Sequence, residues 1–328
     1  MKFSLLLLII FFANLPVSAQ TTVKRTQKLM GSRFEITVIA ASDIEANLFI
    51  DLAVAEMTRI ERLISSWDPA SQTSEINRNA GIKAVTVNEE LFSLIDRCVE
   101  LSKLTEGAFD ISYASMDAIW KFDGTMTDMP SERAIQASVK KVGFKNIVLD
   151  EKERTVFLKL PKMKIGFGGI GKGYAADMAK KLLIERGVQG GIINASGDMN
   201  TWGKQLDGTP WKVAITNPLN KNKAFALLPI DEGAVVTSGN YEKFVNLNGR
   251  RFSHIIDPRT GYPSSGIISA TVFAPKAELA DALATSIFVM GIEAGLYFIN
   301  QIPKIECILI DDKGTIFTSN NIELENKQ

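Results

Sequence analysis

The chain has 328 residues, 46% hydrophobic and 23% charged, with lysine plus arginine equal to aspartate plus glutamate at 37 each. This is the composition of a globular protein, and zero net charge lacks both the basic excess of a nucleic-acid binder and the acidic tail of a solvating arm. A single histidine and two cysteines, with no C-x-x-C, exclude zinc sites built from Cys and His.

The first residues read as a secretory signal peptide over residues 1–19. Lys2 supplies the positive start, Leu5 to Phe12 the apolar run, and Val17-Ser18-Ala19 the small-residue cleavage site before Gln20. The run is shorter than the roughly 20 residues a membrane helix needs, and no cysteine follows it to carry a lipid. The expectation is an exported, periplasmic protein, soluble or peripheral to the inner membrane and not integral to it. Residues 20–328 are read as one domain.

Arg33 to Ala40 alternates as a strand. Ile44 to Ile64 has helical spacing through Leu48, Leu52, Ala55, Ile60 and Leu63. Ser65 to Asn79 is polar, contains Asp68-Pro69, and reads as a loop. Asn88 caps a helix to about Leu104 that Gly107 ends, and Ser131 caps a short helix ending near Gly143. Asn146 to Leu149 and Thr155 to Leu160 make a hairpin. A glycine-rich turn, Gly166 to Gly173, opens a helix that stops at Gly187, and Gly190 to Ala195 is an apolar strand. Strands then dominate, punctuated by Asp207-Gly208, Asn248-Gly249 and Asp312 to Gly314, with one late helix from Glu278 to Met290. The tail after Asn320 is polar and reads as frayed. Hairpins with helices inserted between them predict an α+β fold. Cys98 falls in a helix pattern and Cys307 in a strand pattern, so export permits a disulfide but burial as free thiols fits as well.

Five clusters can carry chemistry. Gly166, Gly168 and Gly171 match G-x-G-x-x-G, and glycine amides at a helix N-terminus suit an anion. The same run begins like a P-loop, but Gly173 stands where Ser or Thr would bind magnesium. The rest of the chain is not a βαβ series, which weakens a dinucleotide-binding reading. His254, in Ser253 to Gly261, lies where a strand gives way to a turn, and its ordinary pKa near 6.5 suits a general base. Asp281 and Thr285 are four apart on a helix and can share a hard cation through oxygen, though each also reads as an ordinary helix residue. Gly107 to Asp110 and Met30-Gly31-Ser32 read alone as a cap and a turn.

In this order the clusters resemble the ApbE family, whose pattern is M-G-[ST], G-x-F-D, G-G-I-x-K-G-Y-A-x-D, S-H-I-I-D-P-x-T-G and D-A-x-A-T. The matching stretches are Met30 to Ser32, Gly107 to Asp110, Gly168 to Asp177, Ser253 to Gly261 and Asp281 to Thr285. The resemblance implies a single compact ApbE-like (T-fold-like) domain of antiparallel strands and packed helices around a central FAD cleft. It implies Mg2+-dependent transfer of FMN from FAD, as substrate, to a Thr or Ser hydroxyl of an acceptor flavoprotein such as a redox-pump subunit, with release of AMP. Met30, Trp67, Ala108, Phe109, Asp110, Lys172 and Ile256 would contact FAD. The backbone carbonyl of Gly169 with Asp281 and Thr285 would hold magnesium, and His254 would be the base. Family members often carry Tyr where Trp67 stands, and an acidic residue where Gly166 stands. The alternatives are an FAD pyrophosphatase using water in place of the hydroxyl, a flavin-binding protein without turnover, and a nicotinamide-dependent oxidoreductase reading the glycine motif.

Overall fold

The computed structural model describes residues 20–218, 220–240 and 244–322. The signal peptide expected over residues 1–19 lies outside them, as does the tail from residue 323.

The chain opens with strands β1 (Thr21–Leu29) and β2 (Ser32–Ala40), helices α1 (Asp43–Ile64) and α2 (Gln72–Arg78), strand β3 (Val85–Thr86) and helix α3 (Glu89–Leu104). Helix α4 (Glu132–Ser138), hairpin β4 (Ile147–Asp150) and β5 (Thr155–Leu158), and helix α5 (Gly171–Glu185) follow. Then come β6 (Gly191–Ala195), β7 (Asp198–Trp202), β8 (Trp211–Asn217), β9 (Asn220–Ile230), β10 (Gly233–Gly239), β11 (Phe244–Leu247), β12 (Arg250–Ser253) and β13 (Ile267–Ala274). Helices α6 (Ala277–Met290) and α7 (Ile292–Ile299) and strands β14 (Glu306–Asp311) and β15 (Ile316–Thr318) complete the order.

The centre is an eight-stranded sheet in the order β1-β2-β6-β7-β10-β13-β14-β15, antiparallel at every pairing. With its packed helices this is the expected α+β fold. Alternation decides which face is covered: Phe34, Ile36 and Val38 of β2 are fully buried, while Glu35 and Thr37 point to the other face. Helices α1, α5 and α6 cover the buried face. On α1 the buried residues Ala46, Ile50, Ala53, Met57, Ile60 and Ile64 follow one stripe at three- and four-residue spacing. Each large side chain so buried contributes roughly 1.5–3 kcal/mol.

Local signals explain several boundaries. Asn88 caps α3, accepting from the Leu91 N–H at 2.8 Å, and Gly107 closes its far end by donating to the Ser102 carbonyl at 2.8 Å. Asn248 and Gly249 both take positive φ, 52° and 77°, as the two-residue turn between β11 and β12 demands. Cys98 and Cys307 are buried free thiols. Burial raises the pKa of both, that of Cys307 to about 12, so neither is a ready nucleophile.

The structure adds elements to the sequence expectation, among them the short strand β3. Part of the Ser65 to Asn79 loop is helix α2, capped by the Ser71 side chain. Strand β1 precedes the first predicted strand, and α7 follows the one late helix, separated from it by Gly291 at φ 83°.

Candidate active site

The site is assembled where the glycine-rich turn meets α6. A 3-10 turn over Ile111–Ser115 pins the segment before α5. The Gly166 N–H donates to the Ile111 carbonyl at 2.9 Å, the Gly168 N–H to the Tyr113 hydroxyl at 3.2 Å, and the Lys164 N–H to the Ser115 hydroxyl at 2.7 Å. A Cβ on Gly168 would lie 2.3 Å from the Tyr113 oxygen, so a larger residue there would displace that ring from its hydrogen bond. Asp110 starts the 3-10 turn: one carboxylate oxygen accepts from the Ser112 N–H and the other from the Phe144 N–H. Burial raises its pKa against the pull of those N–H groups. Tyr113 is also raised by burial.

Helix α5 lies against α6 at backbone distance. A Cβ on Gly173 would fall 2.2 Å from the Ala277 carbonyl oxygen. No side chain of its own segment caps α6. Asp177 does so from α5, accepting from the Ala277 N–H at 3.0 Å and the Glu278 N–H at 2.8 Å, with the Asn200 amide donating at 2.6 Å. This cross-helix cap fixes the rotation of α6, and with it Asp281 and Thr285, relative to the glycine turn. Burial raises the Asp177 pKa.

One turn into α6, Asp281 Oδ2 accepts from the Gly173 N–H at 3.2 Å and lies 4.0 Å from Lys172 Nζ. Lys172 is also paired with the buried Asp198, whose other oxygen accepts from the Thr237 N–H at 3.4 Å. The Thr285 hydroxyl is 3.4 Å from that of Ser238, and a Cβ on Gly169 would lie 3.2 Å from Thr285 Oγ1. Among the described residues no three His, Cys, Asp or Glu side chains gather around a metal. The set of Asp281, Thr285 and Gly169 is different: a carboxylate, a hydroxyl and a glycine backbone packed closely against Thr285. Those hard oxygen donors fit magnesium.

His254 lies exposed just beyond β12. The loop after it is held firmly. Ile256 bridges Pro263, the Asp257 N–H donates to the Tyr262 carbonyl at 2.9 Å, and the Trp120 indole donates to the Gly261 carbonyl at 2.9 Å. Arg259 is clamped on the Asp257 carboxylate at 2.9 Å.

Nine of the sequence-predicted residues line one cavity of about 480 Å³: His254, Ala108, Phe109, Asp110, Lys172, Ile256, Gly169, Asp281 and Thr285. Met30 and Trp67 are not in its lining. Met30 packs towards Gly171, with its N–H donated to Glu61 at 3.1 Å. Trp67 is 92% exposed on a loop whose neighbour Ser66 approaches Gly166. Gly166 itself lines the cavity and brings no carboxylate. The sequence reading missed Asp198 and Tyr113. Asp198 directly follows a turn at the end of the apolar strand β6, a position where functional groups gather.

The ApbE family profile matches residues 30–309. A FAD:protein FMN transferase from Klebsiella pneumoniae is 29% identical, over 86% of this chain and 82% of its own length. One from Escherichia coli is 30% identical, over 71% of this chain and 68% of its own. Among solved structures, the ApbE protein from Thermotoga maritima is similar with a TM-score of 0.83 and 30% identity, covering 92% of this chain and 97% of that one.

Proposed function

The chain belongs to the ApbE family, and from that premise we propose that it transfers FMN from FAD to a Thr or Ser hydroxyl of an acceptor protein, with magnesium held by Gly169, Asp281 and Thr285. The observation that supports this best is the convergence of His254, Lys172 and the Asp281/Thr285 pair, from three separate segments, on one cavity. A flavin store without turnover needs neither a base nor a metal-ligand set.

FAD is proposed to lie with its pyrophosphate at the N-terminus of α5. There the helix dipole and the Lys172 ammonium favour negative charge. Lys172, already between Asp198 and Asp281, can donate to a phosphate oxygen as a further partner. Ala108, Phe109, Asp110 and Ile256 offer the walls for the rings. Trp67 at the rim is free enough to stack on one, with Met30 behind the turn. Magnesium, when bound, would offset the charge that develops on the pyrophosphate.

His254 takes the proton of the acceptor hydroxyl. The oxygen attacks the FMN-side phosphorus in line, and the bond from that phosphorus to the bridging oxygen breaks as the new P–O bond forms. AMP leaves with the bridging oxygen, and the product is a phosphoester. Excluding water from this cavity separates transfer from hydrolysis. The signal-peptide reading of residues 1–19 puts the acceptors among exported flavoproteins, redox-pump subunits included. No helix among the described residues is long and apolar enough to cross a membrane.

The test is His254→Ala. FAD binding, followed by flavin fluorescence, should be retained, and acceptor-dependent AMP release should fall by roughly 10²–10⁴-fold. Undiminished release would remove the base assignment.

A further inference from the structure

A second cavity, of about 710 Å³, lies on the face of the central sheet opposite Phe34 and Ile36. The register puts its floor there. Thr37 pairs with Ile192, and Asn194 with both Glu35 and Met199, so these side chains share the face opposite Phe34 and Ile36. Strand β8 forms one wall through Lys212 and Ala214. Two residues, Ser196 and Thr237, line this trough and the FAD cavity alike. The trough therefore adjoins the reaction site, with Ser196 and Thr237 at the boundary.

Its chemistry narrows the occupant. Lys24 is neutralised by Glu35 at 2.6 Å, and the other ions in the lining, Lys212 and Asp207, are opposite in sign. No net charge awaits a nucleic acid or an anionic headgroup. The floor mixes apolar Ile192 and Met199 with polar Thr37 and Asn194, as suits a polypeptide. It crosses β1, β2, β6, β7 and β10. Four strand spacings make a length of roughly 19 Å, or about six residues of extended chain.

We propose that this trough seats the segment of the acceptor protein that flanks its reactive hydroxyl, leading that hydroxyl past Ser196 and Thr237 into the FAD cavity. The inference rests on the transferase reading above. It gives acceptor recognition a surface that FAD does not touch.

The experiment uses Ala214→Trp and Ile192→Trp, which fill the trough from its wall and its floor, with Ala214→Ser as control. The probe is a flavin-free subunit of an exported redox pump, incubated with FAD and magnesium. Both Trp variants should esterify the probe with kcat/KM at least about tenfold lower than wild type. Their FAD affinity, measured by flavin fluorescence, should stay within about twofold, and the Ser control should match wild type. Ala214 is exposed, so its variant decides the matter if Ile192→Trp folds poorly. Unchanged esterification by Ala214→Trp would overturn the trough, as would a parallel loss of FAD affinity, which would make it an extension of the FAD site. A wild type that binds FAD but never modifies the probe would overturn the transferase reading, and this inference with it.

Discussion

Asp177→Ala removes the side-chain cap that α5 lends to α6 without touching the cavity lining. Two first-turn N–H groups lose their acceptor, and the fully buried Asn200 amide loses its partner at 2.6 Å. Loss of a cap typically costs about 1 kcal/mol, and an orphaned buried donor about 1–3 kcal/mol. Their sum centres near 3 kcal/mol, of the order of a third of a typical folding free energy. At about 2–4 °C per kcal/mol the melting temperature should fall by about 6–12 °C. Asp177→Asn keeps one acceptor oxygen and should recover about half of the loss. Thermal unfolding followed by circular dichroism, in EDTA so that metal binding adds nothing, measures both. A fall under 2 °C, or equal falls for Ala and Asn, would refute the claim that Asp177 holds α6 by capping it.

Gly173→Ala should be more damaging than Gly171→Ala. The first Cβ meets the Ala277 backbone at 2.2 Å, whereas the second meets only the movable end of Ile64 at 2.7 Å, and urea midpoints would rank them. Asp281→Ala should raise the magnesium concentration for half-maximal transfer by about tenfold or more, and an unaltered titration would remove it as a ligand. Glu90 has its pKa lowered, chiefly by hydrogen bonding to Arg59. Its stabilisation is therefore full above the ordinary glutamate value of 4.5 and is lost as pH falls through the lowered value. Wild type should exceed Glu90→Gln in urea midpoint near neutrality, with the gap closing in acid, and a gap independent of pH would contradict the pairing.

Periodicity and capping made α1, α3, α5, α6 and the hairpins legible, because their signals are local. Asn88, Asn248-Gly249 and the helix-stopping Gly107 each act within a few residues. What escaped was decided by tertiary contacts. Strand β1, at the sheet edge, alternates between exposed and half-buried up to Lys28 and buries only Leu29, so no apolar stripe marks it. Helix α2 is a seven-residue polar segment that burial of Thr73, Ser74 and Ile76 holds in place. The candidate site was legible as five motifs in order. Asp198 was not, because its meaning lies in facing Lys172 across 26 residues of chain. The same holds for Asp177, which lies inside a recognised motif yet acts on the helix that carries a different one.

The most direct test is the intact mass of a purified acceptor subunit after incubation with the purified protein, FAD and magnesium. A gain equal to one esterified FMN, with AMP released in step and both abolished by EDTA, is the expected result. Free FMN and AMP with an unmodified acceptor would contradict transfer and establish hydrolysis of FAD instead.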